Sequence, residues 1–483
     1  MKNNFIRLLN SRRGEYIIIS IIIILGFIVR LYKINTPLAD WHSFRQADTA
    51  SVTRFFINDG ISILHPKYQD ISRVQSGIFN PQGYRYVEFP IYNFFHAILA
   101  TAFPQLSLEV WGRLLTIFLF LISTYTIFLI GRELMNKWGG LISALLFAFL
   151  PFNIYFTRVI LPEPMVVCMG LLSIWFYIIY TKKEDNLYFI LSAIFMSLGF
   201  LIKPYVFFYG FPILFIIIRK YGFRKMFKQT RLYIFALISL TPFILWRIWM
   251  SQYPAGIPFW KWTLNGDGIR FRPAFWRWIF GERIGRLILG IWGLLPLGIG
   301  LLTLKKKDIE MIGFGLGAVI YMSLFATANV RHDYYQILVI PVVVLLLSRG
   351  IIEIWNNTNW NLYLRRLLLI FSMVLMLGIS AYQVKDYYLI IHPEIIEAGQ
   401  ALDSLAPKDA IVIAPYNGDT AFLYQTKRSG WPVVELPIEE LIAEGAQYYV
   451  SVNFDPQTNE FMERFITIKK TDKYVILDLT KKI

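Results

Sequence analysis

The sequence of 483 residues is 56% hydrophobic and 17% aromatic, which excludes an ordinary water-soluble domain and predicts a polytopic membrane protein. Its net charge of +16 comes from basic residues that fall largely in short loops between apolar runs, so the charge indicates membrane topology and excludes nucleic-acid binding. The single cysteine, Cys168, excludes an internal disulfide and a thiolate metal cluster.

The first apolar run covers residues 16–32 and follows four basic side chains, Lys2, Arg7, Arg12 and Arg13. The run is long and lacks a small-residue cleavage site, which favours a retained signal anchor over a cleaved signal peptide. The basic residues before it predict a cytoplasmic N-terminus. The polar segment that follows, residues 33–88, is therefore expected to form a large external loop.

This external loop carries an unusual group of polar residues close to the predicted membrane boundary. Residues 39–50 read ADWHSFRQADTA and contain five ionisable or amide side chains, namely Asp40, His42, Arg45, Gln46 and Asp48. Ionisable groups at such a position are typical of functional sites, although a solvated connecting loop is the simpler alternative. Apolar side chains at helical spacing in residues 48–60 predict a short amphipathic helix at the interface.

Eleven further apolar runs follow the loop, at residues 89–103, 110–130, 138–156, 165–180, 187–201, 205–218, 232–250, 287–304, 309–325, 335–354 and 367–382. The first of these is short and lies between Pro90 and Pro104. If it does not cross the membrane, the short loops with Lys or Arg all fall inside, including residues 219–231 with six basic residues and no acid. We therefore predict about eleven spans and an external C-terminus.

Two later segments have a different composition. The predicted external loop 251–286 is rich in Trp and Arg, which is typical either of an aromatic belt at the headgroups or of a clamp for phosphate. From residue 385 the sequence resembles that of a soluble domain, with predicted strands at 410–414, 448–452 and 474–479 and predicted helices at 394–405, 438–444 and 459–465. It lacks a Gly-rich phosphate loop, which favours a binding or lid module.

The predicted topology places most of the charged motifs on the external side. Sugar transfer from a lipid phosphate requires a carboxylate that accepts the proton of the acceptor and cations that stabilise the departing phosphate. The candidate catalytic acids are Asp40, Asp48 and Glu88. The candidate residues for the donor phosphate and substrate are His42, Arg45, Arg158, Glu163, Lys203, His332, Tyr334 and Tyr335. Arg158 and Glu163 could instead pair with each other or with headgroups.

Residues 1–385 resemble the GT-C superfamily of polyprenyl-phosphate-sugar-dependent glycosyltransferases, in the branch of bacterial protein O-mannosyltransferases and lipid A aminoarabinose transferases. The resemblance rests on an ordered set of short motifs: DWHSFRQADTA at 40–50, VEFPIY at 87–92, GRL at 112–114, GREL at 131–134, the turn 151–163, KP at 203–204 and HDYY at 332–335. It implies a bundle of about eleven to thirteen transmembrane helices, a catalytic acid in the first external loop and inversion at the anomeric carbon.

The sequence departs from this family at the head of the loop helix. Close relatives carry an Asp-Glu pair where this chain has Arg45-Gln46, flanked by Asp40 and Asp48. Spacing from the first span favours Asp40 as the base, whereas position on the predicted helix favours Asp48. The choice between them therefore stays open at the level of sequence.

The predicted protein is thus an all-α membrane bundle (residues 1–384, with the external loop 33–88) joined to an external α/β domain (residues 385–483). We expect it in the inner (plasma) membrane, where its partners are membrane lipids, a polyprenyl-phosphate sugar donor and a lipid, glycan or protein acceptor. No metal cofactor is expected; the alternative is Mg²⁺ or Mn²⁺ held by the acids. A flippase for lipid-linked saccharides is disfavoured because most span centres are uncharged and the sequence has no internal repeat. A scaffold protein would need fewer spans.

Overall fold

The computed structural model describes residues 11–483 and divides them into two compact units. The bundle unit contains the described residues before Lys33 together with Thr116–Leu245 and Trp260–Lys385. The loop unit contains Lys33–Leu115, Trp246–Phe259 and Asp386–Ile483. The predicted topology signals Lys2 and Arg7 lie outside the described residues. Residues 33–88, which we call the external loop after their predicted location, therefore belong to the same unit as the C-terminal domain, although the two are far apart in sequence.

Apolar helices of 9 to 27 residues dominate the described chain as far as Val384. They are Arg12–Arg30, Ile91–Ala102, Leu108–Leu134, Lys137–Phe149, Glu163–Lys183, Asn186–Ile202, Gly210–Tyr221, Thr230–Met250, Leu294–Leu302, Ile309–Leu324, Ile340–Asn356 and Leu362–Val384. Shorter helical segments connect them. The apolar run 138–156 is interrupted after Phe149, and Pro151 begins a separate helix that ends at Phe156. Three further segments, 204–209, 277–288 and 333–339, are 3₁₀ or π helix.

The structure has fewer helices that qualify as membrane spans by length and composition than the number of spans that the sequence predicts. Among the described residues, five helices are long and apolar enough to cross a membrane: Leu108–Leu134, Glu163–Lys183, Thr230–Met250, Asp333–Asn356 and Leu362–Tyr388. The expected count of about eleven is therefore not confirmed, because several apolar runs form helices that are interrupted or short. The run at 89–103 forms a helix of 12 residues, about 18 Å long, which is shorter than the hydrocarbon core. The chain is a multi-pass membrane protein.

Two helices of the bundle unit approach each other so closely that only glycine fits between them. They are Leu294–Leu302 and Ile340–Asn356. A Cβ atom added to Gly300 would lie 2.0 Å from the carbonyl oxygen of Leu346. A Cβ atom added to Gly350 would lie 1.7 Å from the carbonyl oxygen of Pro296. Small residues allow this kind of backbone contact in membrane helix pairs.

The loop unit is built around a helix that we call the loop helix, Ser43–Asn58. It begins five residues before the predicted start at residue 48. Nine of the ten residues at 45–54 are buried, so the polar side chains of the motif in this range lie in the interior of the protein. Such residues must find hydrogen-bonding or charged partners when they are buried, and those partners define the candidate site described below.

The C-terminal part of the loop unit contains a five-stranded sheet with strand order β2-β1-β3-β5-β4. The strands are β1 (Ile411–Ile413), β2 (Ser429–Trp431), β3 (Tyr448–Ser451), β4 (Phe465–Lys470) and β5 (Val475–Lys482). The pairs β1–β2 and β1–β3 are parallel, whereas β3–β5 and β4–β5 are antiparallel. The helices are Glu394–Leu405, Thr420–Thr426, Ile438–Ala443 and Pro456–Arg464.

The external loop continues the sheet beyond its edge strand β2. The Ile71 amide donates to the Gly430 carbonyl at 3.0 Å, and the Gly430 amide donates to the Gln69 carbonyl at 2.9 Å. Two residues later, the Arg73 side chain forms ion pairs with Glu435 at 3.1 Å and Glu444 at 2.5 Å. Covering an edge strand in this way removes its unpaired backbone groups and joins the external loop to the C-terminal domain.

The close helix pair gives a test of the bundle packing. We expect Gly300→Ala to destabilise the protein by about 1–3 kcal/mol, because the added methyl group must displace backbone at Leu346. Gly298→Ala on the same helix is the matched control, since a Cβ atom there has no neighbour within 4 Å. Thermal unfolding of the purified proteins in detergent measures both changes. Equal melting temperatures for the two variants would show that the helices are not packed as described.

Candidate active site

The head of the loop helix holds Asp40 in a fixed position. The Gln46 side-chain amide donates to Oδ1 of Asp40 at 2.7 Å and to the carbonyl oxygen of Trp41 at 3.2 Å. The Ser43 amide donates to the Asp40 carbonyl at 3.0 Å, and His42 between them adopts a left-handed conformation with φ 55°. Asp40 is 5% exposed. This carboxylate is therefore buried beside the helix N-terminus, where the helix dipole favours negative charge.

Arg45, one turn into the loop helix, forms an ion pair with Glu88. Both side chains are buried or nearly so, and they come from sequence positions 43 residues apart. An arginine that is paired with a carboxylate has part of its charge neutralised before any substrate binds. The predicted acid Glu88 and the predicted cation Arg45 are thus brought together.

Asp48 lies one helical turn from Arg45 and uses both of its carboxylate oxygens. Oδ2 forms an ion pair with Arg85 at 2.8 Å, and Oδ1 accepts a hydrogen bond from the Thr420 hydroxyl at 2.7 Å. Asp48 and Arg85 are both nearly inaccessible. Breaking a buried pair of this kind by removing one partner leaves an uncompensated charge and is strongly destabilising. Asp48 therefore links the loop helix to the C-terminal domain.

Two more buried carboxylic acids lie near Asp48. Burial raises the pKa of Asp419 from its ordinary 3.8 to about 6, and the nearby charge of Asp48 contributes to the shift. Burial also raises the pKa of Asp70 to about 6, although hydrogen bonds from Ser72 oppose this shift. These acids were not predicted from the sequence, because no local motif marks them and their burial depends on residues distant in the chain.

A second group of predicted residues lies in the bundle unit and centres on Lys203. The Lys203 ammonium forms an ion pair with Glu163 at 2.5 Å, and both side chains are buried. The ammonium also lies 5.8 Å from the ring centre of Tyr205 and 5.6 Å from that of Tyr335. Aromatic faces at these distances stabilise a cation. Glu163 therefore pairs with Lys203, a partner that the sequence did not suggest.

Aromatic rings extend this group along the HDYY motif. Tyr334 and Tyr335 stack with ring centres 4.6 Å apart, and His332 stacks on Tyr334 at 5.4 Å. Trp262, from the Trp- and Arg-rich segment, lies edge-on to His332 at 5.7 Å. Arg158 is fully buried in the same unit. The structure thus brings Glu163, Lys203 and Tyr335 into contact and joins His332 to the same aromatic series.

Arg283 contributes another charged contact beside this motif. Its guanidinium lies 3.8 Å from Asp333 and donates to the Val330 carbonyl at 2.8 Å. Arg283 belongs to the segment that we interpreted either as an aromatic belt or as a phosphate clamp. Its contacts favour a role inside the protein for this arginine, since its side chain is only 15% exposed.

The predicted site residues thus fall into two sets. Asp40, His42, Arg45, Asp48 and Glu88 lie in the loop unit, and Arg158, Glu163, Lys203, His332, Tyr334 and Tyr335 lie in the bundle unit. Their convergence on one pocket stays a prediction. Sequence analysis missed Arg85 and Thr420, the two partners of Asp48. Arg85 is an arginine within the aromatic stretch YRYVEF, and this was the only local signal for either residue.

A family model described as dolichyl-phosphate-mannose-protein mannosyltransferase matches residues 89–249 of the chain. The match covers a third of the sequence and begins immediately after Glu88. No curated protein matches the chain by sequence.

Several solved structures share the fold at low sequence identity. ArnT from Cupriavidus metallidurans bound to undecaprenyl phosphate has a TM-score of 0.62 and 10% identity, with 97% of this chain and 98% of that chain covered. The Archaeoglobus fulgidus oligosaccharyltransferase in its apo form has a TM-score of 0.61 and 9% identity, covering 91% and 70% of the two chains. The mycobacterial arabinofuranosyltransferase AftD has a TM-score of 0.59 and 10% identity, and this chain covers 41% of it.

The partial family match and the shared fold agree with the class predicted from the motifs, because the matched family and the three solved structures are transferases of sugars. The similarity to ArnT extends over almost the whole of both chains, so it includes the C-terminal domain as well as the helices.

The raised pKa of Asp419 predicts a dependence of stability on pH. The folded protein keeps the Asp419 proton up to about pH 6, whereas the unfolded chain releases it near 3.8. This contribution to stability is therefore complete below pH 3.8 and is lost as the pH rises through 6. We expect Asp419→Asn to match the natural protein near pH 4 and to exceed it by up to about 3 kcal/mol at pH 7.

Thermal unfolding of the purified full-length protein between pH 4 and pH 7 measures this effect. Asparagine can still accept the hydrogen bond that the Ala421 amide donates to Asp419, so the helix cap is kept. The control is Asp409→Asn, at an exposed position of the same domain. A difference between Asp419→Asn and the natural protein that stays constant with pH would contradict the assignment.

Proposed function

We propose that the protein is a GT-C membrane glycosyltransferase. It moves a sugar, with inversion, from a polyprenyl-phosphate-linked donor to a lipid, glycan or protein acceptor on the external face of the inner membrane. Two findings support this choice of donor. The matching family model is described by a lipid-phosphate mannose donor, and the ArnT structure with the same fold contains undecaprenyl phosphate. The observation that carries the proposal is the buried carboxylate of Asp40, held by Gln46 at the head of the loop helix.

In the proposed reaction Asp40 acts as the general base. Its carboxylate accepts the proton of the acceptor hydroxyl as that oxygen attacks the anomeric carbon of the donor sugar. The bond between the anomeric carbon and the phosphate oxygen breaks, and the polyprenyl phosphate leaves with the bonding electrons. A single displacement of this kind inverts the anomeric configuration.

The contacts of the two candidate acids favour Asp40 over Asp48 as the base. Both oxygens of Asp48 are occupied, one by the Arg85 guanidinium and the other by the Thr420 hydroxyl. Because both oxygens already have fixed partners, Asp48 is poorly placed to accept the proton of an acceptor hydroxyl. The Gln46 side-chain amide orients Asp40 by donating to its Oδ1 oxygen at 2.7 Å. We assign Asp48 a positioning role.

Lys203 is the proposed cation for the departing phosphate, and Arg158 keeps the same role that the sequence assigned to it. Negative charge develops on the phosphate as the sugar is transferred, and fixed cations in a buried environment stabilise that charge. Glu163 holds the ammonium at 2.5 Å, and the rings of Tyr205 and Tyr335 flank it. A lysine held in this way needs little rearrangement when the phosphate charge forms.

We propose that the reaction needs no divalent metal. Among residues 11–483, no group of three or more His, Cys, Asp or Glu side chains is arranged to hold a metal ion. Three of the four acids that could serve as ligands form ion pairs with cations instead: Asp48 with Arg85, Glu88 with Arg45, and Glu163 with Lys203. This set of residues fits charge stabilisation by Arg and Lys better than coordination of Mg²⁺ or Mn²⁺.

The orientation proposed for the protein follows the positive-inside rule, with the N-terminus in the cytoplasm and the C-terminal domain outside. The external loop and the C-terminal domain belong to one compact unit, which supports their placement on the same side of the membrane.

The two acids should respond differently to the same substitution. We expect Asp40→Asn to lower the transfer rate by at least about 10²-fold with little loss of stability, because asparagine keeps the acceptor oxygen for Gln46. We expect Asp48→Asn to lower stability by about 3 kcal/mol, because Arg85 is left buried without its counter-charge, and to retain activity at temperatures where it is folded.

Both variants are measured as purified full-length protein in liposomes. Release of undecaprenyl phosphate is followed for a panel of undecaprenyl-phosphate-linked pentoses and hexoses, with a membrane extract as the source of acceptor. Full activity of Asp40→Asn would exclude Asp40 as the base. Inactivity of folded Asp48→Asn together with normal activity of Asp40→Asn would reverse the two roles.

Metal independence has a direct test in the same assay. We expect treatment with a chelator, followed by its removal, to leave the transfer rate within about twofold of its starting value, since the charges of Arg and Lys stay in place. Loss of activity that Mg²⁺ or Mn²⁺ restores, but Na⁺ does not, would contradict this proposal.

A further inference from the structure

The bundle unit contains a cavity of about 470 Å³ that is lined by the ends of several helices. The contributing helices are Leu108–Leu134, Glu163–Lys183 and Gly210–Tyr221 at their C-terminal ends and Ile309–Leu324 at its start. Of the described residues that line the cavity, none belongs to the predicted catalytic or donor-binding set. The same helix ends flank the loops that the positive-inside rule places in the cytoplasm.

The walls of the cavity combine an apolar part with a charged part. Leu134, Ile178, Ile216 and Met311 provide the apolar surface. Two of the three lining acids, Asp308 and Glu310, are buried. The cations lie at the opening, where Arg219 is 54% exposed. A molecule that enters this cavity therefore meets positive charge first and apolar surface beside it.

The acids that line the cavity already have cationic partners. Glu133 pairs with Lys182 at 2.5 Å, Asp308 with Arg349 at 3.1 Å, and Glu310 with Arg219. Two further cations that line the cavity, Lys220 and Lys307, take no part in these pairs.

Lys220 and Lys307 carry the excess positive charge. Lys220 pairs at 2.7 Å with Glu184, which is 69% exposed and does not line the cavity. Lys307 is exposed and forms no ion pair with any residue in the described range 11–483. Exposed ion pairs contribute little to stability because water screens them, so Lys220 can exchange Glu184 for an anionic ligand.

We propose that this cavity binds the headgroup of an anionic membrane phospholipid. The phosphate lies against the Lys220 and Lys307 ammonium groups, and the adjoining acyl carbons lie against Ile216 and Met311. Cations near a membrane surface attract anionic headgroups. The apolar wall gives a phospholipid an advantage over a soluble phosphate of the same charge. The site is separate in its residues from the sugar-transfer chemistry, so it is a lipid-binding function in addition to catalysis.

The test compares two double variants of the full-length protein. Lys220→Gln/Lys307→Gln removes the excess charge and leaves Arg219, Lys182 and the buried acids unchanged. Lys225→Gln/Lys228→Gln removes the same charge from exposed positions of a neighbouring loop that do not line the cavity. Native mass spectrometry of the detergent-purified proteins measures binding of the first molecule of dioleoyl phosphatidylglycerol, with dioleoyl phosphatidylcholine as the reference lipid. Calorimetry with inorganic phosphate alone provides the second arm.

We expect the natural protein to prefer phosphatidylglycerol, and Lys220→Gln/Lys307→Gln to bind it about tenfold or more weakly, while the control changes by less than about twofold. Equal loss in the two variants, or none in Lys220→Gln/Lys307→Gln, would overturn the proposal. Binding of inorganic phosphate that depends on Lys220 and Lys307, without binding of phosphatidylglycerol, would assign the cavity to a soluble phosphate and overturn the lipid assignment.

Discussion

A buried carboxylate, Asp48, connects three distant parts of the sequence in the loop unit. It is held by Arg85 from the end of the external loop and by Thr420 from the C-terminal domain. A charge in such a place is tolerated only when its partners are present, because its desolvation is not compensated otherwise. The folded position of the loop helix therefore depends on contacts with residues almost four hundred positions away.

Neighbouring contacts reinforce this connection. The Arg54 guanidinium lies 3.8 Å from the ring centre of Tyr424 and donates to the Tyr424 carbonyl at 3.0 Å. The Gln69 side chain donates to the Thr420 carbonyl at 3.1 Å, and residues 69–71 extend the sheet at Gly430. The C-terminal domain thus positions the loop helix, whose Gln46 side chain holds the candidate base Asp40. This gives a physical role to a domain without recognisable catalytic motifs of its own.

The sequence was most informative where a feature depends on nearby residues. The helix Glu394–Leu405 has the predicted bounds. The three predicted strands correspond to β1, β3 and β5. Strand β2 was missed because it has only three residues and includes Gly430. Strand β4 was missed because its residues after Phe465 are exposed and lack the alternation of a half-buried strand.

Features that depend on tertiary contacts were harder to predict. The count of about eleven spans is not confirmed, because apolar composition does not reveal where a helix is interrupted, as between Phe149 and Pro151. The sequence left the choice between Asp40 and Asp48 open, since the partners of Asp48 come from segments with no motif to connect them. A class of enzyme could be proposed from the sequence because the proposal rested on an ordered series of motifs rather than on any single contact.

Hydrogen–deuterium exchange on Asp48→Asn and Asp40→Asn tests most directly whether Asp48 fixes the loop helix to the C-terminal domain. The account predicts faster exchange in peptides from Ser43–Asn58 and Thr420–Thr426 for Asp48→Asn, and exchange at the natural rate in both peptides for Asp40→Asn. Exchange that is unchanged in Asp48→Asn, or equally accelerated in Asp40→Asn, would contradict it.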